Sequence, residues 1–328
     1  MRTKINSFIS KIPVALLVIA GLISCEKDEI AINPHESGDA TENAVEMFSD
    51  YRNQIYFDLE TNKAVKANEK TEWDLAFECG ADGSHIFINT AKSMFVAKAN
   101  ETFASKTDTI GLEWKWETSN GHIDSTAFEG WALSDLYVLD FGYSSDGTHQ
   151  GFGKLKIIEL TAIKWVIQYS DLTATSPLEI TIQKDDLYNA TFFSYLNGGK
   201  VVSIEPPKAD WDICFTQYTY IYYELDNTPY LVSGALLNRY LVEGSEDFKT
   251  DFIDITFENV LNNPTSYIRD IIGYDWKYFN FEAGKYSVNP VLNFILKSTE
   301  GFYYKLHFID FYSETGDKGY PKFEFQKL

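Results

Sequence analysis

Three cysteines, three methionines and five histidines are all that this chain of 328 residues holds of the side chains that staple a fold or ligate a soft metal. So few cysteines exclude a disulfide framework. Basic residues are scarce as well, 28 Lys and Arg against 48 Asp and Glu, which excludes nucleic acid and anionic headgroups as expected partners because phosphate binding is driven by cationic side chains. Long apolar runs are missing except for one from Ile12 to Ile23, well short of the roughly 20 residues that span a bilayer. No His-Glu-x-x-His, Gly-x-Ser-x-Gly, P-loop or dinucleotide fingerprint occurs, so the common hydrolase and nucleotide-binding signatures are absent. Acidic residues are spread so widely that no pair stands out as a glycosidase acid and base. The expectation is a binding protein, not an enzyme.

The N-terminus is informative. Arg2, Lys4 and Lys11 precede or open the apolar run, and Leu22-Ile23-Ser24-Cys25 closes it. Charge, then grease, then a small-residue site is the layout of an export signal, and the closing tetrad looks like a bacterial lipobox. Residues 1–24 read as a lipoprotein signal peptide and Cys25 as the lipidated first residue of the mature chain, held to a membrane by acyl chains without a transmembrane helix. Glu26-Lys27-Asp28-Glu29 resembles the acidic tag that sends Bacteroidetes lipoproteins to the cell surface. The expected location is the outer membrane, lipid-anchored and exposed at the cell surface. Residues 25–44, with Pro34 and Gly38 and no apolar period, read as an acidic tether.

The rest of the chain is rich in what a core needs: 45% hydrophobic residues, including 21 Tyr, 24 Phe and 7 Trp, which rules out disorder. Short aromatic and β-branched runs such as 218–223, 291–296 and 302–311, bounded by Asp82-Gly83, Asp146-Gly147 and Gly198-Gly199, read as strands and turns. Short helices are expected near 91–99 and 188–196. Cys79 and Cys214, 135 residues apart, are expected as buried free thiols. The chain also repeats itself. Trp73-Asp74-Leu75-Ala76-Phe77 matches Trp211-Asp212-Ile213-Cys214-Phe215, each following an aromatic strand, and Gly151 to Leu155 matches Gly301 to Leu306. The fold class expected is all-β, two tandem antiparallel β-sheet domains with a few short helices, the first over 45–183 and the second over 184–328. Repetition of the Trp-Asp pair favours a structural role for Asp74 and Asp212, accepting backbone hydrogen bonds at a strand end.

Three stretches together resemble the HmuY-like lipoproteins of Bacteroidetes: the Trp73 to Cys79 run with Asn89 to Phe95, the Trp211 to Tyr218 run with Thr228 to Val232 and Leu236 to Arg239, and the tail from Tyr304 to Phe323. The resemblance covers most of 45–328 and implies an all-β surface protein that captures haem for iron acquisition and passes it to a TonB-dependent outer-membrane receptor, with the iron between two axial His or Met side chains on loops at one end. Haem needs an apolar slot and neutral nitrogen or thioether ligands. In the second copy the matching position falls near Asn280 and Phe281, neither of which binds iron. His307 lies on a strand, opposite in facing to Leu306 and Phe308. Of the remaining candidates, His35 and Met47 lie in or beside the tether and His149 in a Gly-rich turn. His122, past Trp114 and Trp116, is nearest a family ligand position, with Met94 or His85 able to supply the other side. Tyrosine is a further haem ligand, and 21 of them leave the choice open. The competing expectation is a surface lipoprotein that binds a glycan or a protein and has no haem site.

Overall fold

The computed structural model describes residues 37–195 and 198–328; the signal segment, Cys25, the acidic tag and His35 lie outside them. The fold is all-β. The chain opens with β1 (Thr41–Ala44), β2 (Asn53–Asp58) and β3 (Lys63–Glu69), continues through β4 (Leu75–Glu78), β5 (Ile86–Ile88), β6 (Phe95–Ala99), β7 (Leu136–Asp140), β8 (Phe152–Leu160), β9 (Lys164–Asp171), β10 (Leu178–Gln183), β11 (Ala190–Ser194) and β12 (Lys200–Val202), and ends with β13 (Ile213–Tyr222), β14 (Thr228–Leu237), β15 (Glu243–Asp247), a short helix α1 (Phe257–Asn262), β16 (Lys277–Asn280), β17 (Lys285–Val288), β18 (Asn293–Lys297), β19 (Tyr303–Tyr312) and β20 (Lys318–Lys327). Every strand pair is antiparallel.

Two sandwiches result. In one, the sheet β10-β9-β8-β7-β6 faces β12-β11-β4-β5; in the other, β1-β20-β19-β18-β15 faces β14-β13-β2-β3. Alternation builds them: along β20, Phe323 and Phe325 are buried while Lys322, Glu324 and Gln326 are half-buried between them, as expected for a sheet packed on one side. The first core holds Phe77, Leu139, Leu155, Trp165 and Phe193, and the second Phe57, Phe215, Trp276, Phe294 and Phe323. The opposite faces of the two inner sheets meet in a third layer with Tyr56, Phe87, Phe192, Trp211 and Cys214, giving four sheets in a stack. Cys79 and Cys214 are buried free thiols.

The two Trp-Asp segments make matching contacts. The Asp74 N–H donates to Phe193 O at 2.9 Å and its carboxylate accepts the Tyr195 N–H at 2.7 Å; the Asp212 N–H donates to Phe57 O at 2.8 Å and its carboxylate accepts the Leu59 N–H at 2.8 Å. Asn89 donates its side-chain amide to the carbonyls of Lys70 and Trp73, and Asn238 to those of Lys208 and Trp211. Trp73 meets Phe192 edge-on, and Trp211 meets Tyr56 edge-on, both at 4.9 Å. Asp74 and Asp212 therefore hold strand ends.

Several expectations need correction. The boundary at 183/184 separates no folded units, because the described residues belong to one compact body and that boundary falls between β10 and β11 of a single sandwich. The aromatic strand of each sequence repeat pairs with the Trp-Asp strand of the other: β2 with β13, and β11 with β4. One sandwich is thus the continuous stretch from β4 to β12, set into the chain between β1–β3 and β13–β20, which complete the other. The tether ends before residue 41, since β1 pairs with β20, and Met47 is fully buried in the second core. Helix is absent from 188–195 and nearly so from 91–99: the Asn89 side chain caps a single 3-10 turn at Thr90–Lys92, after which β6 pairs with β7, and the Phe192-Phe193 pair serves two cores from opposite faces of β11. Tertiary pairing overrides local pattern here.

Candidate functional site

The three residues named from sequence as haem ligands do not converge on one cleft. Met94 is 2% exposed inside the first core, packed among apolar side chains with Val96 and Leu139, so its thioether offers no open face to a ligand in this conformation. His85 is half-buried, its Nδ1 in contact with the Glu78 carboxylate at 2.5 Å and its ring stacked on Phe87. His122 is exposed at the start of a 3-10 turn. Its loop rests on Arg269 and Asp270: the Arg269 N–H donates to Asn120 O at 2.8 Å, and the Ser119 hydroxyl donates to the Asp270 carboxylate. His149 pairs with Asp140 at 2.8 Å and His307 with Glu324 at 2.9 Å.

Between the two inner sheets lies a cavity of about 60 Å³ lined by Glu117, Glu205, Arg239, Arg269 and Trp211. Ligand pockets for drug-sized molecules start near 300 Å³, so this space is far too small for haem. Arg239 pairs with Glu117 at 2.9 Å and lies 3.8 Å over the Phe87 ring, tying the sandwiches together. Glu205 accepts the Ala190 N–H at 2.9 Å, and burial pushes its carboxyl up to about 7. A folded-state value above the unfolded one means that the native protein holds the proton more tightly between about pH 4.5 and 7, so the stability that the neutral acid contributes is present at low pH and lost as pH rises through 7. Asp212, also pushed up to about 7 by burial, acts in the same direction. Thermal unfolding at pH 5.5 and pH 8 is expected to show a fall in stability from these groups, and Glu205→Gln is expected to reduce that fall.

One part of the molecule open to a flat apolar ligand is an end built from two hairpins. Strands β13 and β14 pair along their whole length, from Ile213 with Leu237 to Tyr222 with Thr228, but β2 supports β13 only from Ile213 to Phe215. The outer half continues as a two-stranded ribbon resting on the turn at Thr90–Lys92, where the Thr219 hydroxyl donates to the Thr90 carbonyl at 2.8 Å. Its alternating tyrosines, Tyr218, Tyr220 and Tyr222, make the strand, and Asp226 and Asn227 turn it at φ of 58° and 56°, a left-handed conformation that Asp and Asn tolerate. Beside it stands the hairpin β16–β17, whose Phe281 is 89% exposed at the tip. Phe279 meets Phe281 at 5.2 Å and Tyr286 at 5.4 Å, both edge-on. Lys277 holds this hairpin to the ribbon through the Ser233 carbonyl, and the Tyr286 N–H donates to the Tyr312 hydroxyl at 2.7 Å. Tyr222 and Tyr274 share a hydroxyl contact of 2.9 Å. Tyr223, Leu225, Tyr230, Tyr278, Phe279 and Phe281 are all exposed there, a larger apolar display than scattered surface residues require.

The family model described as HmuY protein matches residues 50–325. The chain belongs to the HmuY family. Two solved structures align along most of their length: apo PinO from Porphyromonas gingivitis, 11% identical over 88% of this chain and 98% of that one with a TM-score of 0.33, and the apo HmuY analog of Tannerella forsythia, 9% identical over 89% and 98% with a TM-score of 0.25. No curated protein matches the chain. Within this HmuY family member, sequence reasoning placed Asn280 and Phe281 at a position where the family carries a ligand, and the structure puts them at the end of β16 and the tip of the hairpin. Sequence reasoning read 218–223 as a strand but gave it no part in a site. The signal was there: three tyrosines in strict alternation, in a strand too long for the partner that precedes it.

Proposed function

We propose that the protein captures haem at the aromatic end formed by the β13–β14 ribbon and the β16–β17 hairpin. The observation that carries the reading is the exposed Tyr223, Tyr230, Phe279 and Phe281 display on a chain of the HmuY family. A porphyrin is a broad apolar disc that buries against aromatic faces. Neither hairpin carries His or Met, so the iron would take oxygen from a tyrosine such as Tyr223 or Tyr230, a known axial donor, or an imidazole from the exposed His122. Met94 drops out unless its core opens. Binding rather than catalysis is the role, with haem or a haemoprotein as partner and a TonB-dependent outer-membrane receptor as the acceptor of the cargo.

The test is a haemin titration of the soluble chain starting at Glu26. A saturable one-to-one Soret change is expected, weakened about tenfold or more by Phe281→Asp, which sets a charge against the disc. Loss on Tyr223→Phe or Tyr230→Phe would assign an oxygen ligand; loss on His122→Ala would assign an imidazole. Weak, unsaturable absorption would sink the haem reading and favour a glycan or protein ligand at the same aromatic surface. Lipidation at Cys25 and display on the outer membrane complete the proposal. Protease accessibility on intact cells, with release of the protein by Cys25→Ser, is the check on that anchor.

A further inference from the structure

At the foot of the tyrosine ribbon is a pocket of about 250 Å³, distinct from the hairpin tips, whose lining includes Tyr218, Tyr220, Tyr274, Glu246, Asp270 and Asp275 and no Lys or Arg. Three carboxyl groups share it. Their charges act on one another: Asp275 raises the proton affinity of both Glu246 and Asp270, although burial is the larger cause in each. The nearby cations, Arg269 and Lys277, act on Asp270 and Asp275 through their charge but make their described contacts outside the pocket. Arg269 lines the interior cavity, and Lys277 donates to the carbonyls of Ser233 and Tyr274.

A second observation points to a missing occupant. Tyr218 is 1% exposed and lines this pocket, yet its hydroxyl has no hydrogen-bond partner, an arrangement that costs stability unless something fills it. Gly273, at φ +61°, lies against it: a Cβ there would meet the Asp270 carbonyl oxygen at 2.9 Å, Asp275 Oδ1 at 3.5 Å and the Tyr218 hydroxyl at 3.6 Å. The Tyr218 hydroxyl and the Asp275 carboxylate thus flank the same stretch of backbone and both line the pocket.

We propose that this pocket binds an organic cation, a guanidinium or ammonium group, presented either on an arginine or lysine side chain of a protein partner or on a free amine. A bare metal ion fits less well, since the three acids are not among the groups that bring three ligand atoms within 4.8 Å of one another. An amine of several atoms spans wider spacing, and the rings of Tyr220 and Tyr274, packed edge to face with centroids 5.1 Å apart, supply the aromatic wall that favours such cations. The acidic excess of the chain steers positive groups toward it. The inference does not depend on haem.

The experiment is calorimetric titration of the chain from Glu26 with agmatine, with the blocked pentapeptide Gly-Gly-Arg-Gly-Gly, and with the same peptide carrying citrulline. Saturable binding of the arginine probes and none of citrulline is expected; tighter binding of the peptide marks a protein-borne cation, and tighter binding of agmatine a free amine. The double variant Glu246→Gln, Asp275→Asn should weaken binding about tenfold or more, since charge-assisted contacts are lost. Neither side chain makes a hydrogen bond in the described fold, and Asp275 acts on the buried Lys277 by its charge alone, so the melting temperature, read alongside, should show an intact fold. Tyr218→Phe should weaken binding about threefold while leaving stability unchanged or higher, because it removes an unpaired buried hydroxyl. Haemin titration of the same variants should be unchanged, which separates this site from the aromatic tips. Equal binding of the citrulline peptide, affinity indifferent to the double variant, or no saturable binding at millimolar probe would overturn the proposal.

Discussion

Replacing Asp74 with alanine is expected to remove about 3–5 kcal/mol of stability, the range for leaving a buried charge without its partner. The Asp74 and Lys92 side chains are each 2% exposed and paired with one another. The same carboxylate accepts the Tyr195 N–H at 2.7 Å, so its loss strands both an ammonium group and a backbone donor at the edge where β11 joins β4. Asp212 offers the comparison. It occupies the matching place without a lysine and accepts the N–H groups of Leu59 and Thr299 at 2.8 Å each, so Asp212→Ala is expected to cost less than Asp74→Ala. Urea unfolding of Asp74→Ala, Lys92→Met and the double variant separates the contributions. If the pair is what matters, the double variant will be more stable than the sum of the single losses predicts, because no charge is left buried alone. Simple additivity would show that Asp74 acts through its backbone contact instead.

A second pair of variants is expected to act almost equally in two places. Lys154 on β8 is fully buried and donates to the carbonyls of Phe103, Lys106 and Ala174 at 2.7, 3.0 and 2.6 Å. Lys305 on β19 is 3% exposed and donates to those of Phe252 and Ile255 at 2.7 and 3.0 Å. Their ammonium groups lie 4.6 Å from the Phe103 ring and 4.7 Å from the Phe252 ring. Each lysine latches a loop across the outer face of its sheet. Methionine keeps much of the apolar stem but strands the carbonyls, so Lys154→Met and Lys305→Met should each cost roughly 2–4 kcal/mol, from loss of several charge-assisted hydrogen bonds in a buried setting. The two sites share no partner, and their effects should add to within about 0.5 kcal/mol. Hydrogen exchange should quicken at 103–106 in one variant and at 252–255 in the other. A loss below about 1 kcal/mol in both would mean that water satisfies the freed carbonyls and that the loops are held by their apolar contacts.

The lysine latches were partly legible in the sequence. Gly151 to Leu155 and Gly301 to Leu306 align by eye with one extra residue in the second, and Lys154 and Lys305 each directly precede the closing leucine, but nothing in either segment says which carbonyls an ammonium group will reach. The haem candidates show the opposite case. Met94 was named for its chemistry, yet its neighbours Phe95, Val96 and Ala97 belong to a strand whose pairing with β7 turns the thioether into the first core. His85 was named for its position after a turn, and the fold gives it the Glu78 carboxylate. The aromatic display at Tyr223, Tyr230 and Phe281 could not be separated from core aromatics by composition, since the same residue types fill Phe57, Phe215 and Trp276.

Alternation, turn chemistry and aromatic content are local properties, and they determined by themselves that the chain is all-β, that its thiols are free, and that Asp74 and Asp212 hold strand ends. Pairing is not local. A repeated strand fits either copy of its partner equally well by sequence, so only the tertiary structure decided that β2 joins β13 and β11 joins β4, and with that where the sandwiches divide. The same choice leaves the outer half of β13 without a strand beside it other than β14. A strand longer than its partner runs past the sheet, and Tyr223 and Tyr230 at its far end became a surface while Tyr218 stayed buried.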